Sequence, residues 1–301
     1  HHVPWKNFGY NRTMALRFAE GKTDYMWVID ADDKVQGNID FSKLTLDVYS
    51  LRYGQNFVYW RKQLFRSGLA WKYLGVLHEY AESGFDKTHE FLAGDYYVES
   101  RRLGARNKDP QKYNKDAAVF EQALVDEPNN TRYWFYLAQS YYDAGNFAKA
   151  RDAYKQRASM GGWQEEVFYA WLRIGLCENQ LGNKNDAIVA FLEAYNAQPT
   201  RAESLYHLAF QYRLEKKYEL AFFFAQRAAQ IPKPQPSALF VYTDIYDYKI
   251  LDELSVSAFY TTHAPYGFAV CQELLTKTIP DDVRARVLDN IEHYKKKLKI
   301  S

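Results

Sequence analysis

The sequence predicts an α/β layer over residues 1–105 and an all-helical repeat array over residues 106–301. Two observations carry this prediction. An apolar strand, YMWVID at 25–30, follows a helical pattern and runs directly into three carboxylates, and apolar strands of this kind are typically covered on both faces. The second half of the chain repeats its pattern of small residues at spacings of 37 and then 34 residues, which is typical of stacked helical hairpins.

The helical half contains three units in phase. They are WFYLAQSYYDAGNFAKARDAY from Trp134, WLRIGLCENQLGNKNDAIVAF from Trp171, and LYHLAFQYRLEKKYELAFFFA from Leu205. Small residues recur where the two helices of each unit must approach closely, at Ala138, Gly175 and Ala209, and again at Ala150, Ala187 and Ala221. Helix, turn and helix in this arrangement is the tetratricopeptide-repeat pattern.

The flanks of these units predict further helices. Residues 113–130 and 239–261 indicate imperfect repeats, and residues 281–298 indicate a last helix with an acidic start and a lysine-rich end. The turns of the three units lie at Gly145-Asn146, Gly182-Asn183 and Lys216-Lys217. Pro199 and Pro232 close the second and third units.

Composition narrows the class of protein. The 39 basic and 37 acidic residues give a net charge of +2, which favours neither nucleic acid nor an anionic membrane as a partner. No apolar run reaches the roughly 18–20 residues of a membrane span. Cys177 and Cys271 lie in helical patterns and are interpreted as core residues, which favours a cytoplasmic location. The 17% aromatic content fits helix packing better than sugar stacking.

The first half has a different pattern. Residues 11–23 predict a helix that ends at Gly21, and the strand 25–30 follows it. Residues 57–65 and 96–100 predict further strands. Loops that follow strand ends in such layers commonly bind ligands.

The carboxylates after the first strand predict a metal site. If the extended form persists, Asp30 and Asp32 point the same way, because side chains alternate along a strand. Two carboxylates on one side suit Mg²⁺ or Mn²⁺ already bound to phosphates. Asp33 is either a third ligand or a turn-capping residue.

Several segments in order resemble family 2 glycosyltransferases of the GT-A fold that carry a C-terminal tetratricopeptide array. The resemblance runs through WKNFGYNRTMALRFA, YMWVIDADD, YWRKQLFRSGLAWKYLGVLHEY and ESRRLGARNKDPQKYNKDAAVFEQAL. It implies that Asp30 and Asp32 hold the divalent cation of a nucleotide-sugar donor, expected to be a UDP-sugar. It also places Arg12 near the nucleotide, where it contacts phosphate or holds the strand end.

The same resemblance puts residues 64–80 on the sugar and acceptor side. Glu79 is the candidate general base, which takes the acceptor's proton, and Asp33 is the second candidate. His78 is a candidate ligand of the metal or a phosphate. The alternative for Glu79 is an ion pair with Arg61 or Arg66. Trp71 is either a stacking platform for sugar or a core aromatic.

The resemblance implies a metal-dependent, inverting glycosyltransferase that moves a sugar to a protein or glycan acceptor. Its repeats are expected to dock the acceptor, a second copy in a homodimer, or a partner protein. Such enzymes normally begin with a segment that binds the nucleoside, and this sequence lacks it, so the resemblance implies that residues 1–105 correspond to the latter half of a GT-A domain. The alternative is a non-catalytic repeat scaffold that carries an incomplete transferase domain. A nuclease is disfavoured by the neutral charge.

Overall fold

The computed structural model describes residues 1–84, 87–101, 103–235 and 238–300. The chain divides into two compact units. Unit 1 contains His1–Met160 and residues 238–240, and unit 2 contains Gly161–Gln235 and the chain from Val241 onward. The predicted domain boundary at residue 105 lies between the sheet region and the helices, whereas the two compact units meet near residue 160. The boundary at residue 105 stays a prediction.

Unit 1 opens with a helix and eight strands. Helix α1 spans Phe8–Ala19, and Asn7 caps it by accepting a hydrogen bond from the N–H of Tyr10 at 2.8 Å. The strands are β1 Tyr25–Trp27, β2 Asp33–Gly37, β3 Val48–Tyr53, β4 Phe57–Arg66, β5 Lys72–Leu74, β6 Tyr80–Glu82, β7 His89–Phe91 and β8 Tyr96–Ser100.

The sheet of unit 1 is mixed. Its strand order is β1-β4-β3-β8-β2, and β7 lies beside β3. The pairs β1/β4, β3/β4 and β2/β8 are antiparallel, whereas β3 runs parallel to β7 and β8. Strands β5 and β6 form a separate antiparallel pair. The predicted strands at 57–65 and 96–100 correspond to β4 and β8, and the first strand is shorter than predicted because it ends at Trp27.

Two apolar clusters contain alternate residues of β3, as the period of two requires. One cluster holds Val48 together with Leu16, Met26, Phe65, Trp71, Tyr73 and Ala81. The other holds Tyr49, Leu51, Tyr53, Leu64, Tyr96 and Val98. The β3 strand is therefore covered on both faces.

The helical part of unit 1 follows a short 3₁₀ turn at Ala105–Lys108. It contains α2 Lys112–Asp126, α3 Thr131–Asp143 and α4 Phe147–Ser159. Asn130 and Asn146 cap α3 and α4 by accepting backbone N–H groups of the first turn. The α2 helix packs on α3, and α3 packs on α4.

Unit 2 consists mainly of antiparallel helix pairs. Its helices are α5 Gln164–Gln180, α6 Lys184–Ala197, α7 Glu203–Leu214, α8 Tyr218–Ala229, α9 Ile250–Phe259, α10 Ala264–Leu275 and α11 Asp281–Leu298. A short strand, β9 at Val241–Tyr242, and a π-helical segment at Ile245–Lys249 precede α9. The predicted helical hairpins are confirmed, and they form a helical-repeat array like that of tetratricopeptide proteins.

Small residues set the helix spacing in these pairs, as the sequence predicts. Ala138, Ala150, Ala187, Ala209 and Ala221 are fully buried. The turn residues of the three units share a left-handed backbone, with φ of 77° at Gly145, 82° at Gly182 and 58° at Lys216. The left-handed backbone favours glycine, and of the three units only the third has a residue with a side chain, Lys216, at this position.

Phe191 of α6 is the centre of one such contact. A Cβ added to Gly175 would lie 2.4 Å from its ring, so α5 and α6 touch only because residue 175 has no side chain. On its other side, His207 of α7 stacks on Phe191 with ring centroids 5.2 Å apart and planes 13° apart. Burial, assisted by the nearby charge of Lys249, lowers the pKa of His207 to about 4.

We expect Gly175→Ala to lower the free energy of unfolding by about 1–3 kcal/mol, because the added methyl group overpacks the α5–α6 contact. Urea denaturation followed by circular dichroism measures the change. Gly175→Ala should lower the stability less when it is made in a Phe191→Leu background than in the wild type, because the ring that the methyl group meets is then absent. A Gly175→Ala variant as stable as the wild type would contradict the contact.

The low pKa of His207 predicts acid sensitivity of the repeat packing. The unfolded chain binds a proton at His207 near its ordinary pKa of 6.5, whereas the folded chain binds it only near 4. Stability should therefore fall as the pH drops from 7 towards 4.5, by on the order of 2 kcal/mol from this group. Urea titrations across this window should give a smaller pH dependence for His207→Gln. Equal slopes for both proteins would exclude this role.

Candidate functional site

Arg12 of α1 forms the centre of a polar cluster at the sheet of unit 1. Its Nη2 donates to Oδ1 of Asp30, and its Nε lies 2.6 Å from Oε1 of Glu79. Its guanidinium also lies 5.7 Å from the ring centroid of Tyr73. Burial disfavours the charge of Arg12, yet Glu79 and Asp30 outweigh burial, so the pKa of Arg12 is raised.

The local sequence brings α1 close enough for these contacts. Gly9 has no side chain, and a Cβ there would lie 2.9 Å from the backbone oxygen of Gly75. The hydroxyl oxygen of Thr13 accepts the N–H of Tyr73 at 2.8 Å. These two contacts fix α1 against β5 and the loop that carries Glu79.

Asp30 lies between two arginines. Besides Arg12, the Nη1 of Arg61 lies 3.5 Å from Oδ2 of Asp30. Both carboxylate oxygens therefore face a guanidinium. Arg12 thus holds the turn after β1 through Asp30, and its contact with a phosphate stays a prediction.

Asp32 does not share the direction of Asp30. The strand ends at Trp27, and the N–H of Asp33 donates to the backbone oxygen of Asp30 at 3.0 Å, which closes a turn. The Asp32 carboxylate instead accepts the N–H of Gly104 at 3.1 Å, and this hydrogen bond lowers its pKa. The extended form on which the paired-carboxylate prediction depends is therefore absent.

Asp33 begins β2 and lies among the sheet side chains. Its Oδ2 accepts the hydroxyl of Tyr53 at 2.8 Å. Burial raises the pKa of Asp33, and hydrogen bonds from Tyr53 and Ser100 oppose the shift. In the hydrogen bond with Tyr53, the Asp33 carboxylate neither caps a turn nor contacts Asp32. Its role as a general base stays a prediction.

His78 and Glu79 face different groups although they are neighbours in sequence. The His78 ring stacks on Tyr136 of α3, with centroids 4.3 Å apart and planes 7° apart. Its backbone oxygen accepts Nη2 of Arg132 at 2.7 Å. Glu79 is mostly buried and pairs with Arg12, not with Arg61 or Arg66 as the sequence alternative supposes.

Trp71 lies in the core. Its side chain is 5% exposed, its Nε1 donates to the backbone oxygen of Arg66 at 2.9 Å, and its ring packs on Phe65. It occupies the core position that the sequence analysis gives as the alternative to a sugar platform.

The predicted residues thus form one ion-paired cluster of Arg12, Asp30 and Glu79, while Asp32, His78 and Trp71 lie in other surroundings. The described residues contain no group of three His, Cys, Asp or Glu side chains that could hold a metal ion. Binding of Mn²⁺ or Mg²⁺, or of a nucleotide-sugar, stays a prediction.

The sequence analysis misses a second polar cluster, which lies inside unit 2. Arg201 is fully buried and grips Glu203 through Nε and Nη2, the latter at 2.6 Å, while its Nη1 contacts Glu165 of α5. The hydroxyl of Tyr246 donates to Glu203 at 2.5 Å and accepts the N–H of Ala202 at 3.0 Å. This network joins α5, α7 and the π-helical segment. An Arg-x-Glu at a helix start is typical of a solvent-exposed turn, so the sequence gives no signal of its burial.

Comparisons with known proteins point to the helical repeats. A model of the tetratricopeptide-repeat family matches residues 114–162. No curated protein matches the chain significantly. Among solved structures, the chain is similar to the APC/C hetero-tetramer Cut9-Hcn1, with 19% identity over 63% of this chain and 34% of that chain, and a TM-score of 0.42. It therefore spans about a third of that chain.

Two further solved structures show a similar level of likeness. MamA shares 14% identity over 66% of this chain and 99% of its own, with a TM-score of 0.42. TTC0263, a thermophilic TPR protein in Thermus thermophilus, shares 17% identity over 63% and 96%, with a TM-score of 0.37. Likenesses of this size carry no conclusion about what the chain does.

These comparisons correct the glycosyltransferase assignment. The family match and the similar structures are tetratricopeptide proteins, and nothing in them points to a GT-A domain. The recognition of residues 1–105 as part of a GT-A glycosyltransferase is therefore wrong. The physical source of the error is that short apolar strands followed by carboxylates are found in many sheets. What remains of that half is a small mixed sheet with one helix packed on it.

We expect Arg12→Met to lower the free energy of unfolding by about 2 kcal/mol, because it leaves Glu79 and Asp30 without their shared partner. Chemical denaturation measures the change. Arg17→Met is the matched control on the same helix, and it should change stability by less than about 0.5 kcal/mol. Adding Glu79→Gln to Arg12→Met should recover part of the loss. Equal effects of the two arginine variants would contradict the structural role of Arg12.

Proposed function

We propose that this protein is a repeat scaffold that binds a segment of another protein, without catalysis. The helical hairpins and the tetratricopeptide match support this proposal, because stacked helix pairs form extended surfaces suited to peptides. In the part of the chain that the structure describes, no helix is long and apolar enough to cross a membrane. A cytoplasmic location stays a prediction.

The exposed side of α7 is the proposed binding surface. Phe210 and Leu214 lie one helical turn apart and are 37% and 61% exposed. The Tyr206 ring lies 6.3 Å from that of Phe210, and the Arg213 guanidinium lies 5.1 Å from the Phe210 ring centroid. We call Tyr206, Phe210 and Leu214 the α7 patch. Aromatic rings beside an arginine are the side chains that contribute most to protein interfaces.

Ion pairs border the α7 patch. Arg213 holds Glu253 of α9 through two hydrogen bonds of 2.5 and 3.0 Å. Arg286 of α11 holds Asp252 through two of 2.7 and 2.9 Å. Because these charges already neutralise one another, the patch favours apolar anchor residues in its partner over a charged one.

The polar cluster of unit 1 also favours binding over catalysis. A catalytic carboxylate must be able to accept a proton or a cation, and Asp30 and Glu79 each face Arg12. The glycosyltransferase assignment that suggested an enzyme is wrong.

Peptide display against the 301-residue chain tests the proposal. We expect selection to enrich peptides with spaced apolar or aromatic residues. Their affinity, measured by fluorescence anisotropy, should fall at least tenfold for Phe210→Ser combined with Leu214→Ser, because the two anchors of the patch are lost.

The matched control lies on the next helix. Leu220 and Phe223 of α8 are 43% and 60% exposed, so Leu220→Ser combined with Phe223→Ser removes a similar apolar area elsewhere. Binding should be unchanged in this variant. Binding at the α7 patch would be contradicted if display enriched no peptide, or if only the α8 variant lost affinity for the selected peptides.

A further inference from the structure

A cleft in unit 1 lies between α1 and the β5 strand with its following loop. Its volume is about 410 Å³, within the range of roughly 300–1,000 Å³ typical of small-molecule sites. It is lined by Asn7, Gly9, Tyr10, Thr13, Met14, Arg17, Lys72, Tyr73, Leu74, Gly75, Val76 and Tyr133. It is far in sequence from the α7 patch, and the protein-binding proposal makes no use of it.

The charge of this cleft is one-sided. Arg17 and Lys72 line it, and the ammonium of Lys6 lies 4.5 Å from the ring centroid of the lining residue Tyr10. None of the lining residues is an aspartate or glutamate. Across the described ranges, none of these three cations forms an ion pair, whereas Arg12 on the same helix forms two. Glu82 lies opposite Lys72 in the β5/β6 pair but outside the lining, so the lining itself carries positive charge, which attracts an anion.

The walls of the cleft are largely apolar. Tyr10, Tyr73 and Tyr133 contribute aromatic rings, and Met14, Leu74 and Val76 contribute aliphatic surface. A simple inorganic anion would leave this surface exposed to water. An anion with a flat apolar body would cover it and gain the free energy of burying its own ring.

Part of the cleft lining is backbone without side chains. Gly9 and Gly75 both line it, and a Cβ on Gly9 would lie only 2.9 Å from the Gly75 oxygen. Because neither residue carries a side chain, α1 approaches the loop closely and no side chain of these two residues occupies the cleft.

We infer that this cleft binds a small aromatic anion, with the acid group towards Arg17 and Lys72 and the ring against the tyrosines. This site is independent of the α7 patch, so either proposal can fail without the other.

Isothermal titration of the full chain with phenyl phosphate tests the inference. Phenol lacks the charge and inorganic phosphate lacks the ring, so each should bind at least tenfold more weakly. Combining Arg17→Gln with Lys72→Gln should weaken phenyl phosphate at least tenfold. Met14→Trp, which fills the cleft while keeping its charges, should abolish binding.

Lys22→Gln combined with Lys43→Gln is the charge-matched control, because both lysines are exposed and neither lines the cleft. Its affinity should equal that of the wild type, and circular dichroism should show every variant folded. Three results would each overturn the inference: no saturable binding of phenyl phosphate, equal binding of phenol, or equal loss in the control. Full binding by a folded Met14→Trp variant would do so as well.

Discussion

The Arg12 guanidinium determines what the carboxylates of the sheet region can do. It contacts Asp30 in the turn after β1 and Glu79 in a loop that follows 49 positions later, and it lies on a helix that precedes both. One cation thus ties three separate segments of unit 1. A partly buried arginine needs such partners, because an unpaired charge away from water is costly. Asp30 and Glu79 supply them, so a cation that bound either carboxylate at the oxygen facing Arg12 would have to displace that arginine.

The helical repeats were predictable because their determinants are local. A period of 3.6 residues, small residues at contact positions and turn residues all lie within one hairpin of the sequence. Gly175 illustrates this, since its repeat position alone indicates a close helix contact. Lys216 shows the tolerance of the pattern, because the left-handed turn forms there without the glycine that the other two units use.

The sheet region was predictable only in part. Strands 57–65 and 96–100 were found from their composition, but the strand at 25–30 stops three residues early. Asp30 through Asp33 form a turn, and whether a strand continues or turns depends on hydrogen bonds to distant segments, such as the contact of Asp32 with Gly104. For the same reason the sequence does not indicate which side chains Arg12 contacts: side-chain pairing across separate segments leaves no periodic signal. The buried partnership of Arg201 with Glu203 was missed on these grounds too.

The structural sites of this protein contain charges that are already paired, whereas its candidate binding sites do not. Arg12, Arg61 and Arg201 face carboxylates, and a ligand would have to break those contacts before gaining its own. Arg17 and Lys72 face a cleft without carboxylates, so an anion would add contacts and remove none. In the α7 patch the unmatched surface is apolar. Phe210 and Leu214 are exposed, whereas the neighbouring arginines and carboxylates already pair with one another. Both proposed binding sites are therefore chosen for unmatched surface rather than for a run of carboxylates.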